Sequence, residues 1–337
     1  MERNASIESA LNRMRSNSVY FYGRYVVYFS EAIVIVLANL LTLIVVKRTI
    51  RLRKVPANTF ILSLACADAM IGILSPATLM TAITNDKYVW ISAVCVFRGP
   101  YYAMFSTSLI TLLAIAIDRY MAVVHPLTYR MRMTIHIARN ICICIWLVEL
   151  TLWETLTCYY GSRISVGNGR SGAAHDIFPG KSFAFLTQIE ILMPILGNVI
   201  LYIVIYMKLR KRAVVPVSNI TSMESLNVSQ PSAKTKVFTK MMALVVGYLI
   251  LAWSPYYIII PLCQMNDPGT PTWYVYMFDF VSVLLYTNSF MNPVIYSWQN
   301  RDFRDAYVKI IKRKRTVMSI DDRTISGCTR NYTTTRF

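Results

Sequence analysis

Tyr101–Tyr120 reads YYAMFSTSLITLLAIAIDRY. The stretch is apolar for nearly its whole length and then stops at Asp118-Arg119-Tyr120. An α-helix rises about 1.5 Å per residue, so about 20 apolar residues span the ~30 Å of bilayer hydrocarbon. An isolated charge at the centre of such a helix costs roughly 2.5–3.5 kcal/mol. Side by side at a membrane–water boundary, the acid and the arginine can hold each other. The stretch is read as a transmembrane helix that ends in a charge pair.

Working outward, the 337-residue chain is 55% hydrophobic and only 15% charged, where a soluble domain carries about 25% charge. Seven runs are long enough to cross a membrane: about 25–46, 57–84, 91–123, 138–158, 182–207, 237–263 and 273–298. They are continuous rather than alternating, which excludes a β-barrel. Seven in succession argue against a large soluble helical protein. The expected fold is an all-α membrane protein, a seven-transmembrane helix bundle over residues 25–298. Residues 1–24 precede it, and residues 299–337 hold an amphipathic helix and a tail.

The net charge is +18, and its placement orients the bundle. Basic residues at span ends are counted with the adjoining loop. The segments after spans 1, 3, 5 and 7 then carry 26 Lys and Arg, and the other side carries 8. The excess places the first set in the cytoplasm. The amino terminus is expected outside and the carboxyl terminus inside a multi-pass plasma-membrane protein. The basic loops face anionic inner-leaflet lipid and cytosolic partners, so no nucleic acid is needed to explain the charge. Residues 1–23 are polar, so span 1 is expected to direct its own insertion.

Asn4-Ala5-Ser6 is a glycosylation acceptor on the outer side of this topology. Of the seven cysteines, Cys66, Cys142 and Cys144 lie inside spans as small apolar residues. Cys95 and Cys158 lie near the outer ends of spans 3 and 4; they either form one disulfide or remain two buried thiols. No cysteine or histidine spacing suggests a metal. Asn39 in span 1 must find a partner helix. Asp68 is the lone charge of span 2 and should face the bundle interior, where it binds a cation, titrates, or stays neutral as a structural hydrogen bonder. Pro100 is expected to bend the outer end of span 3, and Pro255 to kink span 6. Phe303, Ala306, Tyr307, Ile310 and Ile311 recur at helical spacing among basic residues, which suits a helix on the inner membrane surface.

These residues resemble the rhodopsin-like G-protein-coupled receptors over about residues 25–314. The matching pieces are Asn39, Asp68 in LACAD, Asp118-Arg119-Tyr120, Trp146, Pro194 with Tyr202, Trp253-Ser254-Pro255 and Asn292-Pro293-Val294-Ile295-Tyr296. Each falls in its own span and in order. The chain looks loosely like the amine, adenosine and melanocortin receptors.

The resemblance implies a receptor that activates a heterotrimeric G protein when an extracellular ligand binds. Arrestin, receptor kinases and membrane lipids are further partners it suggests. Asp118 would hold Arg119 at rest. On activation span 6 would swing about Pro255, and Arg119 would turn toward Tyr202 and Tyr296. Asp68, Ser108, Trp253, Asn288, Ser289 and Asn292 match the family's sodium pocket; no other cofactor is expected. The outer pocket would be lined by Tyr101, Tyr102, Phe105, Trp253, Tyr256, Tyr257, Ser282 and Tyr286, with Glu190 and Asp279 as acids. Such an aromatic cage suits a cationic small molecule or peptide group. Glu190 either anchors that cation or stands protonated or hydrogen-bonded to a neighbouring helix.

Departures from the family pattern also carry meaning. Tyr101 occupies the position of the amine receptors' aspartate, and span 7 lacks the lysine that retinal needs. Cys95 stands one residue closer to Arg119 than usual. No acid stands between Lys234 and Trp253, so Arg119 lacks a second carboxylate and ligand-free signalling is expected. Leu249 replaces a common phenylalanine in span 6. A secondary transporter is the alternative, since lone intramembrane acids fit coupled transport. No internal repeat or pair of broken helices supports it. Channel pore rings and an enzyme's nucleophile–base constellation are also missing.

Overall fold

A computed structural model describes residues 18–81, 94–166, 181–214, 232–265 and 272–312. The seven spans become α1 (Ser18–Arg48), α2 (Ala57–Thr81), α3 (Gly99–Val124), α4 (Ile135–Val166), α5 (Lys181–Val214), α6 (Ala233–Met265) and α7 (Thr272–Gln299). Residues 301–312 form α8. Short helices Ile50–Arg53 and Pro126–Arg132 lie in the first and second loops of the basic side. Among the described residues there is no strand.

The helices run past the expected span ends, to Val166 in α4 and Val214 in α5. The apolar length marks where hydrocarbon stops, but backbone hydrogen bonding continues into the water-facing turns. Pro100 does not kink a continuous helix. A π-helical turn, Val94–Arg98, comes first, and Pro100 sits in the opening turn of α3, where its missing N–H costs no hydrogen bond. The outer end of span 2, with residues 82–93, and the acceptor at Asn4 lie outside the described residues.

The ring closes through α7, which packs on both α6 and α1. α3 runs through the middle against α2, α4, α5 and α6, and buries most of its length. Among the described residues, six helices are long and apolar enough to cross a membrane by length and composition. α7 is not among the six, and Asp279, Thr287, Asn288, Ser289 and Asn292 interrupt its apolar run. Asn288, Ser289 and Asn292 are buried within the bundle.

Polar side chains tie the ring at fixed points. Asn39 donates to the Ser289 carbonyl at 3.0 Å, joining α1 to α7. Trp146 donates to Ser63 at 2.9 Å, joining α4 to α2. α8 turns Phe303, Ala306 and Tyr307 into the bundle, while Ile311 stays exposed. The Tyr307 hydroxyl bonds Thr42 at 2.7 Å, and burial pushes that phenol up to about 12. The helical spacing of these residues therefore divides between docking on the bundle and standing exposed.

α1 and α2 touch closely at Gly72. A Cβ there would stand 2.8 Å from Val36 and 3.0 Å from the Ala32 carbonyl oxygen. Gly72→Val should overpack this contact by on the order of 1–3 kcal/mol. A lower melting temperature of the detergent-purified protein is the expected result.

Candidate functional site

The site begins at the carboxyl-terminal end of α3, beside the basic second loop. Arg119 is only 5% exposed, and Asp118 is buried beside it. Both Nε and Nη2 of Arg119 donate to Asp118 Oδ2, the first at 2.9 Å. Tyr129, from the short helix after α3, closes the pair. Its hydroxyl donates to Asp118 Oδ1 at 2.9 Å and accepts from Arg119 Nη2 at 3.0 Å. Burial pushes the Tyr129 phenol well above its ordinary range; Arg119 opposes this and Asp118 adds to it.

The side of Arg119 that lacks a second carboxylate is not empty. The Phe238 ring of α6 lies under the guanidinium, 4.4 Å from its central carbon. A cation over a ring face is worth about 0.5–2 kcal/mol. Phe238 and Tyr129 were not legible as partners. The only signal was negative, the missing acid in α6. Tyr202 lies within electrostatic reach of Arg119, and Tyr296 within reach of Tyr202. The buried hydroxyls of both have no partner among the described residues. Tyr120 is partly buried.

One level up, Asp68 is fully buried. Its Oδ1 accepts from Ser108 at 3.0 Å and its Oδ2 from Asn292 at 2.8 Å, with Ser289 beside them. α2, α3 and α7 therefore converge on one carboxylate. Asn288 is buried nearby, but its Oδ1 has no partner among the described residues. Pro293 is buried in α7 just beyond Asn292, and Pro255 is partly buried in α6. Trp253 is buried above this level with its indole N–H unpaired among the described residues.

Higher still, aromatic side chains converge from α1, α3, α6 and α7. Tyr101 and Tyr286 share a hydrogen bond between their hydroxyls. The Phe105 ring stands 5.1 Å from Tyr101, 6.1 Å from Tyr286 and 6.4 Å from Trp253. Tyr28 adds an edge to Tyr286 at 5.8 Å. Gln188 links α5 to α6, donating to Tyr256 at 3.2 Å and accepting at its carbonyl from Tyr257 at 3.4 Å. Tyr102 stacks at a tilt on Trp153, 5.2 Å away. Ser282 donates to the Phe278 carbonyl of its own helix, so its hydroxyl hydrogen is engaged within α7.

The outer acids separate. Glu190 Oε1 accepts from Ser106 and from Trp153, each at 2.9 Å, and Glu149 lies against the same carboxyl. These bonds join α5 to α3 and α4. Asp279 turns toward α1, accepting from Tyr20 at 2.6 Å and Tyr28 at 2.9 Å. Glu31, by contrast, keeps a buried oxygen without a partner among the described residues. The Cys158 thiol contacts Glu154 at 3.6 Å. The Cys95 side chain lies outside the described set, and with it the proposed bridge.

The family model for the seven-transmembrane receptor, rhodopsin family, matches residues 38–296. The chain belongs to the rhodopsin family of seven-transmembrane receptors. Among curated relatives, somatostatin receptor type 2 of Mus musculus is 28% identical over 308 residues, covering 88% of this chain and 78% of its own. Trace amine-associated receptor 7d of Mus musculus is 27% identical over 333 residues, covering 90% and 87%. Adenosine receptor A2b of Homo sapiens is 26% identical over 278 residues, covering 77% and 80%. These are receptors rather than enzymes.

The Phe238 ring ties Arg119 of α3 to α6. Phe238→Ala should shift the resting equilibrium about two- to thirtyfold toward activity, the range that about 0.5–2 kcal/mol allows. Phe238→Tyr keeps the ring face and should stay near wild type. Ligand-free G-protein activation at matched surface expression reads both.

Proposed function

We propose that this receptor sits in the plasma membrane with its amino terminus outside and its carboxyl terminus in the cytosol. An extracellular ligand bound among the outer half-helices favours a conformer in which the inner end of α6 moves outward about Pro255. That conformer opens a crevice for a heterotrimeric G protein. The ligand acts only through unequal affinity for the two conformers. Arrestin and receptor kinases act on the same cytosolic face, and lipids surround the bundle. Membership of a receptor family disfavours the transporter alternative.

One observation supports this reading above the others. Arg119 is held by Asp118, Tyr129 and Phe238, while the buried hydroxyls of Tyr202 and Tyr296 stand without partners. Buried polar atoms without partners are uncommon and costly. Movement of α6 would remove Phe238 from the guanidinium, and Arg119 could then turn toward those two hydroxyls. The charge would exchange partners rather than lose them. Phe238 supplies part of what a second carboxylate would, so ligand-free signalling should be measurable but below that of Phe238→Ala. Arg119→Gln, delivered to the cell surface, should abolish G-protein activation; intact activation in that variant rejects the mechanism.

The Asp68, Ser108, Ser289 and Asn292 cluster offers oxygen donors around one carboxylate, which suits a small hard cation. We assign it sodium as an allosteric ligand, with Trp253 and Asn288 at its margin. Sodium chloride should raise the melting temperature of the purified receptor over choline chloride. Asp68→Asn should remove that difference.

The ligand itself is proposed to carry a cationic group received by the rings of Tyr101, Tyr102, Phe105, Tyr256, Tyr257 and Tyr286. Glu31 joins Glu190 as a candidate counter-charge, because its unpaired oxygen lies in the same outer half. Screening cationic metabolites and peptides against a panel of G-protein sensors identifies an agonist. A loss of agonist potency of about tenfold, worth about 1.4 kcal/mol, in Glu31→Gln or in Glu190→Gln then marks the anchor. Unchanged potency in both rejects the cationic ligand class.

A further inference from the structure

Between the outer ends of α1 and α7 lies an open groove of about 430 Å³, which the activation cycle leaves unused. That volume falls within the range of small-ligand sites, about 300–1,000 Å³. Its walls are apolar: Val19, Val27, Phe280 and Val283. Phe280 is 59% exposed and Val27 42%, so these walls face lipid in a bilayer. The floor on the α1 side is Gly23, where an added Cβ meets nothing within 4 Å. A side chain at this position would enter open space.

Its mouth carries one positive and one negative group. Arg24 Nη1 stands 3.5 Å from Asp279 Oδ2, at the outer limit of hydrogen bonding. The Arg24 Nε is buried without a partner among the described residues. The guanidinium also lies over the Tyr25 ring, 5.3 Å from its centroid, and its side chain is 21% exposed, so its terminal nitrogens are the part that can meet an anion. Asp279 stands beside the edge-to-face pair Tyr20 and Tyr276, whose ring centres are 4.6 Å apart. A carboxylate next to aromatic rings suits a weakly hydrated quaternary ammonium group. The Arg24–Asp279 pair has no net charge, which matches a zwitterion. An anionic headgroup would set its charge against Asp279.

We propose that the groove binds one phosphatidylcholine molecule of the outer leaflet. Its phosphate meets Arg24, its trimethylammonium group meets Asp279 and the Tyr20–Tyr276 pair, and an acyl chain lies along Val27 and Val283. The leaflet assignment rests on the topology proposed above; the groove chemistry does not rest on the signalling mechanism. Gly23→Leu tests the site directly. The new side chain fills the groove, leaves both charges in place, and suits a helix better than glycine.

The full-length receptor is purified, delipidated and titrated with an equimolar mixture of phosphatidylcholine, phosphatidylethanolamine and phosphatidylglycerol. Native mass spectrometry then reads the lipid retained. Wild type should keep one phosphatidylcholine in preference to the other two. Gly23→Leu should weaken that retention at least fivefold at an unchanged or higher melting temperature, and Arg24→Gln should weaken it as well. Equal retention by Gly23→Leu and wild type overturns the proposal, as does equal retention of the three lipids by wild type. An epitope at the amino terminus of intact cells reads the topology separately. Its absence from the surface removes the outer-leaflet assignment even where lipid retention holds.

Discussion

A guanidinium inside a helical bundle must be held on every side, and Arg119 sets what its neighbours can be. Taking an ion pair out of water is costly, and removing one partner of a buried pair costs about 3–5 kcal/mol. The adjacent carboxylate answers only part of that demand. Tyr129 binds both members of the pair, and Phe238 covers the remaining face. These partners come from three separate elements, so Arg119 registers their relative positions. Moving α6 alone changes the environment of the charge without breaking its bond to Asp118. This arrangement suits two discrete states better than a continuum.

The same logic operates at Asp68, where three helices meet on one carboxylate. Asn39 extends the polar seam by fastening α1 to the backbone at Ser289. Trp253 lies between this level and the rings around Phe105. The outer aromatic cluster, the carboxylate level and the arginine are therefore stacked along α3. α3 carries all three levels on one helix. The physical continuity is that of packed side chains rather than a wire of hydrogen bonds.

Much of this was legible from residue order. Seven apolar lengths gave seven helices, and the pair at Asp118-Arg119 is a neighbour relation that sequence can show. Helix ends were less legible, because α4 and α5 continue where hydrocarbon stops. Residues that meet across helices were least legible. For Glu190 the residue order left two readings open, a cation anchor or a carboxyl bonded to a neighbouring helix, because its own span shows nothing to bind it. Its partners Ser106 and Trp153 lie far off in the chain and depend on how α3 and α4 are rotated. Asp279 turned toward α1 for the same reason. Phe238 looks like any apolar residue at the start of a helix, and its role depends on the height of Arg119 across the bundle.

Polar residues interrupt the apolar run of α7, and two of its buried ties run to helices made earlier in the chain. Asn292 reaches Asp68 on α2, and Asn39 on α1 reaches back to it. Alone in lipid, its amides and carboxylate would weigh against staying there. The last crossing to leave the ribosome is thus the one that most needs the others already in place. Its seat in the bundle is thus fixed by tertiary contacts with α1 and α2 rather than by its own apolar length.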